Sequence, residues 1–148
     1  MPIANLGLLL MKPHLPGMTP EESAIAKAWL SVHASEYDSA EFNVRLGEGM
    51  QLEGEWDASM RRFAALATAK RADIIARQGS AVTIVEVKVR VGLGALGQLI
   101  GYRDLWLKQN PTTVVTALVA AASTAEPDVQ SVLQQSGVRL EFFPLATS

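Results

Sequence analysis

RADIIARQGSAVTIVEVKVRV, residues 71–91, decides how this chain folds. Two β-rich runs, 71–77 and 81–91, flank Gln78-Gly79-Ser80, whose composition marks a tight turn. With Gly79 and Ser80 as a two-residue turn, Gln78 pairs with Ala81 and the register follows. Asp73 then lies across from Glu86, and Arg71 across from Lys88. Side chains alternate along a strand, so Glu86 and Lys88 share a face with Val82 and Ile84. The other face carries Thr83, Val85, Val87 and Val89. Such a strand is apolar on both sides, and it forces a carboxylate and an ammonium into or beside the core.

Directly opposed Cβ atoms lie about 4.5–5.5 Å apart. Two ionised carboxylates at that separation repel, and partial burial makes the pair worse. An unpaired buried charge costs on the order of several kcal/mol. A divalent cation would offset that cost, because Asp73 and Glu86 supply hard oxygen ligands suited to Mg²⁺ or Mn²⁺. Lys88 would stand beside the ion, placed to stabilise negative charge on a phosphate. An ion-pair cluster, with Lys88 and Arg71 neutralising Asp73 and Glu86, is the other arrangement open to these residues.

Outward from this hairpin the chain reads as a mixed α/β domain. Upstream, Thr19-Pro20-Glu21-Glu22 has the grammar of a helix start: a threonine N-cap, proline in the first turn, and Glu22 closing a capping box. Ile25, Trp29 and Val32 continue it to about His33, with Glu22 on their stripe. Phe42, Val44 and Leu46 alternate with polar residues. After Gly47-Glu48-Gly49, so do Met50, Leu52 and Trp56, which predicts an amphipathic hairpin. Residues 58–69 favour a helix. Downstream, residues 94–108 are helical by pattern, with Leu96, Leu99, Ile100, Arg103 and Leu107 on one stripe. Residues 113–120 form a continuous apolar run, as a central strand does. A short helix over 126–136 and a strand over 138–143 complete the order. Residues 1–18, broken by four prolines counting Pro20 just beyond, read as an irregular arm, and 19–148 as one domain.

Asp73, then Glu86-Val87-Lys88, then a helix carrying Gln98 and Tyr102 resembles the PD-(D/E)XK nuclease superfamily. The similarity is to branches with a Q-x-x-x-Y helix, such as the RecB-like exonucleases, and it covers roughly residues 20–143 in element order. It implies a restriction-endonuclease-like core and a Mg-dependent nuclease acting on DNA. It also implies that Asp73, Glu86 and the carbonyl of Val87 hold Mg²⁺ or Mn²⁺, and that Lys88 is catalytic. Gln98 and Tyr102, one turn apart, would face the site from the helix. Some members add a glutamate on the first helix, a place Glu22 occupies; its capping role already accounts for it. The residue before Asp73 is Ala72 rather than the family's proline.

Composition bounds the rest. The chain has 148 residues, 49% hydrophobic and 19% charged, which is ample for one core and unlike a disordered chain. With no cysteine, disulfides, a thiolate zinc site and a cysteine nucleophile are excluded. No apolar run has the length of a membrane span, so the expectation is a cytoplasmic protein without a membrane partner. The net charge of −2 hides an asymmetry. Residues 61–108 hold 9 basic and 3 acidic side chains, against 3 and 9 in residues 1–60. A basic middle attracts a polyanion or is simply solvated surface.

Residues 92–97, GLGALG, match G-x-G-x-x-G after a strand and before a helix, the position of a dinucleotide-binding loop. The next strand supplies no acid for a ribose hydroxyl, and a nucleotide fold has no use for Glu86 and Lys88. The glycines are explained equally by a tight turn and close backbone packing. Trp29, Trp56 and Trp106 read as core or interface anchors, and nothing supports His14 as a ligand. A nuclease-fold module used for assembly, with little or no catalysis, is the competing function. A homo-oligomer or a place in a larger complex is expected in either case.

Overall fold

The computed structural model describes residues 6–146. A five-stranded mixed sheet is flanked by helices, with spatial order β1-β2-β3-β4-β5: β1 (Ser39–Leu46), β2 (Lys70–Gln78), β3 (Ala81–Val91), β4 (Val114–Ala125) and β5 (Val138–Phe142). The first three strands pair antiparallel, and β3-β4 and β4-β5 pair parallel. Both parallel links need a crossover. They are made by α4 (Gly94–Gln109) and α5 (Val129–Gln135).

One face of the sheet is covered by α2 (Pro20–His33). Its capping box is complete: the Thr19 side chain accepts from the Glu22 amide, and the Glu22 carboxylate accepts from the Thr19 amide. Ile25, Ala26, Trp29 and Leu30 are its buried stripe, whereas Val32, expected inward, is exposed. This face also buries Ile74, Val85, Val87, Val119 and Ala121. The opposite face is covered by α4 through Ala95, Leu99, Tyr102 and Trp106. Its centre is rotated from the expected stripe, of which Leu99 is fully buried while Leu96 and Leu107 pack partly buried at the edge. The rotation turns Tyr102 toward the sheet and leaves Arg103 at the margin.

Three expectations are corrected. Residues 6–11 of the arm form a short helix, α1 (Leu6–Met11), whose Leu6 and Leu9 rest against the α2-side core; residues 1–5 lie outside the described part. Residues 50–56 are not a strand. Gly47 and Gly49 both adopt positive φ and turn the chain away, and a Cβ on Gly49 would strike the Ala65 carbonyl. The segment is then held against α3 (Ala58–Thr68), with Arg61 donating to the carbonyls of Leu52, Gly54 and Trp56. The partner of β1 is β2 instead, which can bury side chains on both faces.

The third correction concerns alternation within β1. Phe42 packs on the α2 side but Val44 on the α4 side, although a regular strand would put both on one face. Asn43, between them, has φ 52°, a left-handed conformation asparagine tolerates better than most residues. Paired residues switch together, since Phe42↔Ile74 and Val44↔Ala72 flank the break. The β2 residue opposite Asn43 is Asp73.

Candidate metal centre at the fork between two strands

The β2-β3 hairpin has the predicted register, running from Gln78↔Ala81 to Ile74↔Val85. It stops there. Beyond Val85, β3 continues beside β4 alone, and β2 continues beside β1, where Arg71 pairs with Arg45. The expected pairing of Arg71 with Lys88 is therefore not formed. Two strands that twist apart leave a fork, and the fork opens between Asp73 on one tine and Glu86-Val87-Lys88 on the other. A side chain replaces the lost ladder bond: Asp73 Oδ2 accepts from the Val87 amide at 2.8 Å. Within a strand residue the N–H and C=O face the same edge, so the Val87 carbonyl faces the fork too.

Glu86 is the unusual member of the interior. Among the described residues, the buried polar or charged ones are Ser23, Thr83 and Glu86. Ser23 accepts from the Leu15 amide and Thr83 from the Tyr37 hydroxyl. Glu86 is 4% exposed; its Oε1 lies 3.3 Å from Lys88 Nζ, and its Oε2 has no hydrogen-bond partner. Burial, then the neighbouring Asp73 charge, push its carboxyl up to about 8, against the pull of Lys88. Asp73 is raised as well, by burial first, partly offset by the Val87 amide; the Glu22 charge also acts on it. While both groups are ionised neither can donate, so Glu86 Oε2 is orphaned. Protonating Glu86 lets the two carboxyls share a hydrogen bond. This is the behaviour of a carboxylate pair short of one positive charge.

That shortfall is the fit test for a cation. The donors are hard oxygens: two carboxylates and the Val87 carbonyl, and such a set suits Mg²⁺ or Mn²⁺. The alternative, neutralisation by arginine, is not what the fork contains. Arg71 is exposed and its guanidinium donates to the Asn43 carbonyl at 3.4 Å. Lys88 pairs with Glu86, and with its side chain 36% exposed it reaches from the core to solvent. Among the described residues no group of three or more His, Cys, Asp or Glu is placed to hold a metal ion, so a cation at the fork would rest on the two carboxylates and a backbone oxygen.

Tyr102 comes in from α4 over the same face. Its hydroxyl accepts from Gln98 Nε2 at 3.4 Å, and burial followed by the Glu86 and Asp73 charges raises its pKa. The structure thus brings Asp73, Glu86, Val87, Lys88 and Tyr102 to one place, with Gln98 behind Tyr102. Glu22 keeps its capping bond and acts on Asp73 only through its charge. Trp29 and Trp106 are buried and Trp56 is half exposed.

One neighbour of the site escaped sequence reasoning. Asn43, opposite Asp73, carried no signal beyond being a polar residue in a strand. Lys70, one of the basic residues that flank the site in the sequence, lines a cleft with Gln98 and Tyr102. The GLGALG loop is also explained. A Cβ on Gly92 would come within 2.8 Å of a Glu126 carboxylate oxygen. That acid beside the loop opposes a phosphate there, so the glycine serves packing.

No family model matches this chain, and no curated protein or solved structure does either.

Proposed function

We propose that this chain is a divalent-metal-dependent nuclease that hydrolyses phosphodiester bonds in DNA, on the PD-(D/E)XK plan. The observation that carries the reading is the carboxylate pair at the strand fork, one of whose buried oxygens is orphaned, with a half-exposed lysine 3.3 Å from its partner oxygen. Asp73, Glu86 and the Val87 carbonyl would hold Mg²⁺ or Mn²⁺. A bound ion of this kind polarises a phosphoryl oxygen and lowers the pKa of a bound water.

The chain's own residues supply the rest. The Val87 amide fixes the Asp73 carboxylate, so the acid is preorganised rather than mobile. Lys88, tethered to Glu86 yet reaching solvent, presents a positive charge where a scissile phosphate gains negative charge in the transition state. Tyr102, whose hydroxyl accepts from Gln98, flanks the acids from the α4 side. Basic residues between Arg61 and Lys108 hold the backbone, giving binding that weakens with salt.

The test is cleavage of linear, supercoiled and branched DNA with Mg²⁺ or Mn²⁺. The reading expects cutting that EDTA stops and that both Asp73→Asn and Lys88→Ala lose. A metal-independent activity, or one untouched by both variants, contradicts it.

One observation favours the second reading, an assembly module. Helix α3 buries none of its residues and displays Met60, Phe63 and Leu66 to solvent, an apolar stripe suited to a protein partner. Metal binding without cleavage of any substrate would select it. Among the described residues, no helix is long and apolar enough to cross a membrane.

A further inference from the structure

Beside the fork a groove runs along α4, and we infer that it receives a nucleobase unstacked from the substrate strand, making unpaired nucleic acid the preferred ligand. The inference rests on the nuclease reading, because it assigns the strand that the carboxylates would cut. The groove joins two clefts, of about 340 and 400 Å³, which share Lys70 and Leu105 as lining residues. The first is walled by Tyr102 and Gln98, the helix pair that flanks the acids, while the acids themselves do not line it. The second ends at the Gly47–Met50 turn and Thr68 of α3, with Glu48 at that far end.

The groove's walls suit a base better than a phosphate. Leu105, with the outer edges of the otherwise buried Leu46 and Tyr102, gives an apolar lining, Gln98 an amide for base edges, and Lys70 a cation at the junction for the backbone. Clefts of this size take one or two small planar groups. A base locked in a duplex stack cannot enter them; a base swung out can.

Gly97 and Gly101 strengthen the assignment. Both lie inside α4 and both line the first cleft. Glycine in a helix interior costs about 1 kcal/mol relative to alanine. Neither has a positive φ, and a Cβ on either would meet nothing within 4 Å, so the protein's own packing does not require them. What they do is leave the cleft open.

The test measures binding in EDTA, where no metal-dependent cutting occurs, by fluorescence anisotropy. The probes are a labelled twelve-nucleotide dT strand, a blunt duplex of equal length, and a fully abasic strand of the same length and charge. Base stacking predicts that dT binds about tenfold tighter than the abasic strand. It is also expected to bind tighter than the duplex. Gly101→Met, which fills the cleft while improving helix propensity, should bring dT down to the abasic level and leave Mn²⁺ affinity unchanged by calorimetry. Equal binding of dT and the abasic strand by the native protein overturns the inference, as does full dT affinity in a folded Gly101→Met. Because the abasic comparison uses the native chain, a misfolded variant does not blunt it. The Mn²⁺ titration is separate: failure there removes the nuclease reading, whereas failure of the EDTA strand comparison in a protein that passes the Mn²⁺ titration removes only the base groove.

Discussion

Asp73 takes the Val87 amide with its side chain at the point where β2 and β3 stop pairing. One carboxylate therefore does two jobs. It ends the hairpin ladder without leaving a buried N–H unsatisfied, and its charge bears on Glu86 across the opening.

This dual role separates two substitutions. Asp73→Asn keeps an acceptor for Val87, whereas Asp73→Ala leaves that amide unpaired, at a cost of about 1–3 kcal/mol. Chemical denaturation should find the alanine variant less stable than the asparagine variant, while both lose metal binding. Equal stabilities would show that the bond does not hold the fork.

Glu86 sets a pH dependence with a definite sign. Its folded-state pKa, about 8, lies above the ordinary 4.5. The native state then binds an extra proton between those values, so this group's stabilising contribution is present below the lower value and lost as pH rises through the upper one. Cation-free protein should melt at a lower temperature at pH 8.5 than at pH 6. Glu86→Gln should remove most of that slope and stabilise the protein at pH 8.5, by on the order of a few kcal/mol. A slope unchanged in Glu86→Gln would mean that the carboxyl is not held protonated.

Metal and proton compete for the same oxygens. Cation binding requires the ionised acids, so Mn²⁺ should raise the melting temperature strongly at pH 8.5 and weakly at pH 5.5. Thermal shift titrations check this; an increase larger at the lower pH contradicts it.

Lys88 is expected to act on the reaction rather than on ion binding. Lys88→Ala should cut the cleavage rate by on the order of a hundredfold, the scale for losing one transition-state charge partner. Calorimetry should still find Mn²⁺ bound, since the donors are the acids. A variant that loses ion and activity together would make Lys88 a structural counter-ion.

Much of this arrangement was legible before any coordinates. Gly79-Ser80 and the two β-rich runs determine the hairpin register, and the register puts Asp73 and Glu86 on facing tines. The mixed sheet with its flanking helices follows from the alternation of apolar periods. What could not be read were the places where a backbone irregularity overrides a pattern. Asn43 at positive φ flips the β1 alternation, and nothing in an isolated asparagine announces that. The Met50–Trp56 alternation mimics a strand, but Gly47 and Gly49 turn the chain before it can pair. The α4 stripe is legible at its edges, where Leu96 and Leu107 pack partly buried against the core, but not at its centre, because Tyr102 and Trp106 are amphipathic. The fork itself is tertiary: it exists because β2 follows β1 while β3 follows β4.

The central claim is that Asp73 and Glu86 hold a divalent cation, and a crystal soaked in millimolar Mn²⁺ tests it most directly. An anomalous peak bridging the two carboxylates and the Val87 carbonyl, absent in Asp73→Asn, is the predicted result. A soaked crystal with no density between the two acids, or a peak that persists in Asp73→Asn, would contradict it.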